Sequence, residues 1–269
     1  MKKFLAVLLS CIMVFTLTAC GSNESKEENN NDNKKKFTVG FDAEYPPYGY
    51  KDEETGEYVG FDLELAQAVC ELEGWELVKS PINWDSKDME LNSGSIDCIW
   101  NGFTINGREN DYEWSDPYIN NEQVIVVAES SGIKTFADLK DKTVGVQAAS
   151  AAEGLFKDEG SQVELAKTFK KLSPFSDYNT AFTELKSGSI DALAIDIGVA
   201  NYQLKSRGEG YVMLEEKLNS EQYGIGFKKG NTELRDTINK DLKKLNEDGT
   251  VKKLAEKYSI DTSMICIGE

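Results

Sequence analysis

Glu90-Leu91-Asn92-Ser93-Gly94-Ser95-Ile96-Asp97 returns, with one change, as Glu184-Leu185-Lys186-Ser187-Gly188-Ser189-Ile190-Asp191. Each copy leads into an apolar stretch, Cys98-Ile99-Trp100 in the first and Ala192-Leu193-Ala194-Ile195 in the second. Both read as the end of a helix, a Ser-Gly C-cap and then a strand. Two copies about ninety residues apart are too few and too distant for a solenoid. They fit two similar α/β lobes. Small polar ligands in such folds sit beyond the carboxyl ends of the strands. Those ends read Asn101-Gly102-Phe103-Thr104 and Asp196-Ile197-Gly198, so a site is expected between the two halves.

The N-terminus carries targeting information. Lys2-Lys3 is a short basic region, and Phe4 through Leu17 is almost wholly apolar. That run is short for a membrane span and right for a secretory signal. It ends Leu17-Thr18-Ala19-Cys20, which looks like a bacterial lipobox, in which the Cys is lipidated and becomes the new N-terminus. An ordinary signal peptide with a chance Cys is the alternative. Gly21 through Lys35 has no apolar residue, as expected of a tether that cannot bury a core. Residues 1–19 are therefore assigned to a signal peptide and 20–36 to the lipidated Cys and tether. A diacylglycerol supplies two chains, enough for stable anchoring. The expected location is the extracytoplasmic face of the cell membrane.

Composition excludes several functions. A formal net charge of −17 repels nucleic-acid phosphates and anionic surfaces, so no nucleic-acid partner is expected. The chain has no His, which removes His-based triads and the commonest metal ligand. Cys70, Cys98 and Cys266 lack metal-site spacing, and Cys70 and Cys98 read as small core residues. No metal or cofactor is expected. Arg accounts for only 3 of the 30 basic residues, which draws attention to any Arg inside a motif.

Beyond the tether, Lys36 to Phe41 alternates as a strand and is followed by an aromatic turn, Tyr45-Pro46-Pro47-Tyr48. Lys51 to Tyr58 reads as a hairpin, Asp62 to Glu73 as a helix with Leu65, Val69 and Leu72 on one side, and Trp75 to Pro81 as a strand. Strands follow at Val124 to Ala128, Thr143 to Gln147 and Tyr223 to Phe227, with a short helix near Phe136 to Leu139. Helices are predicted from Ser150, over Asp177 to Leu185, Val199 to Ser206, Thr232 to Asn246 and Val251 to Tyr258. Alternating strands and helices give α/β.

Asp42-Ala43-Glu44-Tyr45-Pro46-Pro47-Tyr48, Gly60-Phe61-Asp62-Leu63-Glu64-Leu65, Gly102-Phe103-Thr104-Ile105, Trp114-Ser115-Asp116-Pro117-Tyr118, Val144-Gly145-Val146-Gln147 and Tyr223-Gly224-Ile225 occur in that order. The ordered set resembles the amino-acid-binding proteins of ABC uptake systems, the bacterial extracellular solute-binding proteins of family 3. It covers Phe37 to Tyr258. The resemblance implies a two-lobed periplasmic-binding-protein fold of type II, its lobes joined by two hinge strands. Carried over, the crossings fall near Val126 and Gln222, giving lobe I at 37–126, lobe II at 127–222 and a return to lobe I at 223–269. It further implies a monomer that binds a free L-amino acid and hands it to a membrane permease.

A free amino acid carries an ammonium and a carboxylate on one carbon, and burying either unpaired costs several kcal/mol. Arg108 can meet a carboxylate through its planar fork, and the resemblance gives it that role; a surface Arg paired with Glu109 or Asp111 is the bland alternative. Asp196 is the candidate for the ammonium, as in the family, against the alternative of capping the following helix. Gly102 offers a carbonyl to the ammonium, or is a tight turn. Thr104 offers a hydroxyl and N–H to the carboxylate. Ser150 resembles a hydroxyl that opens a second-lobe helix and aids the carboxylate, although Ala149-Ser150 stands where the family usually has Gly-Thr. Tyr45 and Trp84 match ligand-stacking positions, whereas Tyr48 reads as core. Asp42 is the specificity candidate, favouring a polar or cationic side chain, or else it caps the turn before Tyr45. Gln147 could serve similarly.

Two other classes bear weighing. A dehydratase-like enzyme on this scaffold would need a reactive constellation, and no nucleophile–base pair stands out. A sensory or adhesive surface lipoprotein would need no zwitterion-shaped pair of charges. An extracytoplasmic binding receptor, without catalysis, accounts for more of the residues.

Overall fold

The computed structural model describes residues 34–157 and 159–268. The signal peptide, Cys20 and all of the tether before Lys34 lie outside the described residues. In chain order the strands and helices are β1 (Lys36–Phe41), β2 (Glu44–Tyr45), β3 (Gly49–Lys51), β4 (Tyr58–Val59), α1 (Phe61–Glu73), β5 (Glu76–Pro81), α2 (Lys87–Ser93), β6 (Cys98–Thr104), β7 (Glu113–Trp114) and β8 (Ile119–Ala128). After them come β9 (Thr143–Gln147), α3 (Ala151–Phe156), α4 (Val163–Ala166), β10 (Lys171–Phe175), α5 (Tyr178–Ser187), β11 (Ala192–Asp196), α6 (Ile197–Arg207), β12 (Tyr211–Phe227), α7 (Thr232–Glu247) and α8 (Thr250–Lys257).

One strand path runs β10-β9-β11-β8-β12-β6-β1-β5, with β7 against β12. Strands β5, β1 and β6 are parallel, as are β10, β9 and β11, so each end of the path is an α/β lobe. The long antiparallel pair β8 and β12 belongs to both. At Tyr223 to Phe227, β12 pairs with β6 of lobe I, while β8 pairs with β11 of lobe II from Gln123 to Val127. Asn120 is paired with Gln222, and Asn121 with Glu221, in the stretch between. Val126 pairs with Leu193 and Met213, inside the lobe II strand set.

The octapeptide repeat makes the same contacts twice. Gly94 and Gly188 end α2 and α5 in the left-handed conformation, each donating its N–H to the last-turn carbonyls. The carboxylate of Asp97 accepts from Thr38 N at 2.7 Å, and that of Asp191 accepts from Thr143 N at 2.7 Å. Their own N–H groups donate back to Thr38 O and Thr143 O at 2.8 Å. Each repeat therefore pins the start of the first strand of its lobe, β1 or β9. That pinning brings the strand ends Asp42 and Gln147 to matching positions.

Several sequence expectations need correction. β8 begins at Ile119, five residues before the predicted Val124, and β12 begins at Tyr211, twelve before Tyr223. Polar residues at 120–123 and 219–222 hid the inner parts of both extensions, whereas the earlier part of β12 buries Leu214 and Leu218 in a core cluster. The segment Phe136 to Leu139 is 3-10, closed by a Thr135/Asp138 capping box, and β10 and α4 were not foreseen. Leu72 is exposed; the buried face of α1 comprises Phe61, Leu63, Leu65, Ala66, Val69 and Cys70. Cys70 and Cys98 are buried within the core, as expected. Among the described residues, no helix is long and apolar enough to cross a membrane.

Candidate functional site

Tyr45, Trp84, Gly102, Thr104, Arg108, Gln147, Ser150 and Asp196 border one small cavity of about 10 Å³, together with Ala151. Of the residues singled out in the sequence as ligand-binding, Asp42 alone does not line it. Asp42 borders the adjoining outer cleft, with Glu44, Asp85, Glu90 and Asp177. A cavity of that size holds about one water, so the side chains that border it close on one another and must part before a small metabolite enters.

Asp196 ends β11 at the N-cap position of α6, yet its side chain does not cap that helix. Its Oδ1 accepts from Tyr223 Oη at 2.6 Å, Gln123 Nε2 at 2.7 Å and Asn121 Nδ2 at 2.9 Å. Tyr178 Oη lies 3.4 Å from Oδ2. Burial, and then the charge of Glu221, raise its pKa to about 6 despite these donors. A carboxylate so placed is a strong attractor for a buried cation.

Arg108 follows β6. Among the described residues its guanidinium forms no ion pair with Glu109 or Asp111. It donates to Thr104 O at 3.2 Å and, across to lobe II, to Ala149 O at 3.1 Å, and it lies 5.2 Å from the Phe103 ring centroid. Ala149 adopts φ of 56°, a strained conformation for a residue with a Cβ. Ser150 caps α3, its Oγ accepting from Glu153 N at 3.1 Å, while Glu153 accepts from Ala149 N at 2.8 Å.

Gly102 is not in a turn. It lies within β6 at φ 54°, where β12 shifts register, and a Cβ there would meet Tyr45 and Tyr223 at 3.0–3.1 Å. Its N–H donates at 2.6 Å to Asp62, a fully buried carboxylate raised by burial to about 7. The Thr104 hydroxyl, expected to face a ligand carboxylate, instead donates to Glu221 at 2.8 Å. Buried Glu221 attracts it because a desolvated anion needs donors.

The aromatic walls differ in their support. Trp84 stands edge-on to Phe103 at 5.3 Å, and Tyr45 packs between Tyr48 and Tyr178, 5.9 Å from each. Tyr48 is fully buried, as its reading as core required. Asp42 caps the turn, its Oδ1 accepting from Glu44 N at 2.8 Å, while Oδ2 accepts from Gln147 Nε2 at 2.6 Å. Burial raises its pKa to about 6.

Sequence reasoning missed several residues. Lys87, at the start of α2, is buried with Nζ 3.3 Å from Trp84 O and 3.4 Å from Ala149 O; burial and then Arg108 lower its pKa to about 8. Asn121, Gln123, Glu221 and Tyr223 form the shell of Asp196 from β8 and β12. A signal for them was present. Asn120-Asn121-Glu122-Gln123 and Asn219-Ser220-Glu221-Gln222 are similar polar tetrads, and they pair with each other antiparallel.

A family model described as bacterial extracellular solute-binding proteins, family 3, matches residues 37–261. The arginine-binding extracellular protein ArtP of Bacillus subtilis (strain 168) is 34% identical over 261 residues, which is 96% of this chain and 98% of that protein. The L-cystine-binding protein TcyA of the same organism is 31% identical over 271 residues, 96% and 97% of the two chains. An ABC uptake transporter substrate-binding protein from Streptococcus pneumoniae, solved with bound histidine, has a TM-score of 0.79 at 36% identity, covering 83% of this chain and 92% of that one. The names of these relatives are those of binding proteins rather than enzymes.

Proposed function

The chain belongs to the bacterial extracellular solute-binding proteins of family 3, and on that premise we propose that it binds a free L-amino acid between its lobes and delivers it to the permease of an ABC importer. The observation that carries this reading is that Arg108 and Asp196, a fixed cation and a buried anion on different lobes, border the same small cavity. Arg108 serves the carboxylate and Asp196 the ammonium, with Gly102, Thr104 and Ser150 completing the head-group site. Tyr45 and Trp84 wall the side chain. Asp42 and Gln147 stand at its far end, beside an acidic outer cleft, which favours a polar or cationic side chain. Relatives named for arginine and a neighbour with bound histidine support that class.

The two lobes exchange chain at the paired segments 119–123 and 219–223, which act as the hinge. Groups split between lobes give the closed form extra contacts with the ligand, the differential affinity that closure requires. The anchor is assigned to Cys20, which holds a monomer at the outer membrane face.

A thermal-shift screen against the twenty amino acids plus cystine tests the reading. A ligand at one hundred times its Kd stabilises by about 2.7 kcal/mol, a shift of several degrees for a chain of this size. Stabilisation by polar or cationic amino acids is the expected result. No shift with any of them rejects amino-acid binding and favours an adhesive or sensory role.

A further inference from the structure

Asp196 shares its donors with a second buried carboxylate. Asn121 Nδ2 donates to Asp196 Oδ1 at 2.9 Å and to Glu221 Oε1 at 2.8 Å. Gln123 Nε2 does the same at 2.7 Å and 2.8 Å. Glu221 takes two more donors, Thr104 Oγ1 at 2.8 Å and Asn219 Nδ2 at 3.0 Å. Both carboxylates are more than nine-tenths buried. Both amide groups turn their NH2 toward the anions and leave their own oxygens, Asn121 Oδ1 and Gln123 Oε1, buried without a partner. Among the described residues no Lys or Arg pairs with either carboxylate. Two close, buried carboxylates with no cation favour the uptake of one proton, because like charges in a low-dielectric site resist joint ionisation.

We propose that Glu221 tunes the charge of Asp196, so that the ligand's ammonium displaces a proton from the pair and binding is coupled to pH through the hinge. The proposal rests on the amino-acid-binding reading above and adds a positioning residue to it. Glu221 and its partner Asn121 sit opposite each other on β12 and β8, in the segment where the lobes exchange chain. The proton and the ammonium compete for one place.

The groups that face the pair leave Asp196 as the titrating carboxylate beside the ammonium. Tyr45, Tyr48, Tyr178 and Tyr223 approach from β2, the following turn, α5 and β12, and burial holds all four phenols far above their usual range. The first turn of α6 has no acidic residue. On β8, Glu122 pairs with Lys217 at 3.4 Å. Asp62 lies behind Gly102, bonded to its N–H and to Tyr118, and Arg108 borders the same space. Asp42 is the remaining carboxylate raised to about 6, and it engages Gln147 and Glu44 rather than the pair.

Calorimetric titration of the intact protein with its best amino acid, in two buffers of different ionisation enthalpy, reads the proton directly. The parent should release roughly half a proton at pH 6 and almost none at pH 8, with affinity falling roughly tenfold between pH 7.5 and pH 5. Glu221→Gln keeps an acceptor for its donors. It should lose most of the release at pH 6, move the affinity midpoint to lower pH and bind about three- to tenfold more weakly at pH 8. A parent that binds without proton release at pH 6 overturns the proposal while leaving amino-acid binding standing. A Glu221→Gln variant that is weaker but keeps the parent's pH midpoint gives Glu221 a structural role and also overturns it. Absence of binding at every pH defeats the functional reading itself.

Discussion

Gln147 donates its side-chain amide to Asp42 at 2.6 Å, joining the carboxyl end of β9 in lobe II to the residue that follows β1 in lobe I. Both are buried, and Gln147 also donates to Ser176 O at 3.2 Å. The bond ties the two lobes together and stands beside the outer acidic cleft that borders Asp42.

Asp42→Asn keeps an oxygen to accept from Gln147 but removes a negative charge. It should leave closure intact and reorder preferences, weakening cationic amino acids by about tenfold or more relative to neutral ones. Competition titrations with arginine, lysine, histidine and glutamine check this. Equal weakening of all four would assign Asp42 to closure instead.

Gly198, at the start of α6 in lobe II, faces Tyr48 of lobe I so closely that a Cβ would stand 2.3 Å from the tyrosine hydroxyl. The Tyr48 ring is held by Tyr45 at 5.9 Å and Tyr223 at 5.3 Å and cannot retreat. Gly198→Ala should therefore oppose closure by about 1–3 kcal/mol, a loss of roughly one to two decades in affinity for every ligand. Melting without ligand should change little, because open lobes carry no such contact. Small-angle scattering should show the parent contracting with ligand and the variant contracting less.

Asp62 is fully buried, with a folded pKa raised to about 7 and Oδ1 without a partner. Its unfolded value is near 3.9. Between those values the folded state binds more protons than the unfolded state, so its contribution to stability grows as pH falls from about 7 toward 4 and is lost above 7. Asp62→Asn removes that titration. The variant should be more stable than the parent at pH 8, by on the order of 1–3 kcal/mol, with a flatter dependence below pH 7. Denaturant titrations of both proteins at pH 5 and pH 8 measure the difference.

Cys20→Ala should release the protein from the membrane fraction and leave soluble ligand binding unchanged, since the tether adds no core. Fractionation followed by immunoblotting checks this. A variant that stays with the membrane assigns the anchor elsewhere.

The legible part of this chain was the part governed by local rules. Gly94 and Gly188 advertise helix ends, and Thr143 to Gln147 reads as the strand it is because Val144 and Val146 alternate with Thr143, Gly145 and Gln147. Arg108 stood out through rarity, and Asp196 because a carboxylate ends an apolar strand. The full length of the paired strands β8 and β12 was hidden for the opposite reason. Asn121, Gln123 and Glu221 lie within strands, yet polar side chains at those positions break the alternation by which strands are recognised. Their burial follows from partners about a hundred residues away, which no window along the sequence contains. The bond from the Thr104 hydroxyl to Glu221 across the sheet lay beyond any such window on the same ground.

Calorimetric titration of Arg108→Ala with the best ligand of the parent is the most direct test of the central claim that Arg108 and Asp196 hold a zwitterionic head group between the lobes. Removing the cation leaves a ligand carboxylate buried and unpaired, at a cost of about 3–5 kcal/mol. That corresponds to a loss of about two to three and a half decades in affinity, whatever the side chain. Arg108→Lys should also be poor, because a point charge on a flexible stem does not reproduce the planar fork. An Arg108→Ala variant that binds within about threefold of the parent, less than 1 kcal/mol, would contradict the account and move the site away from Arg108.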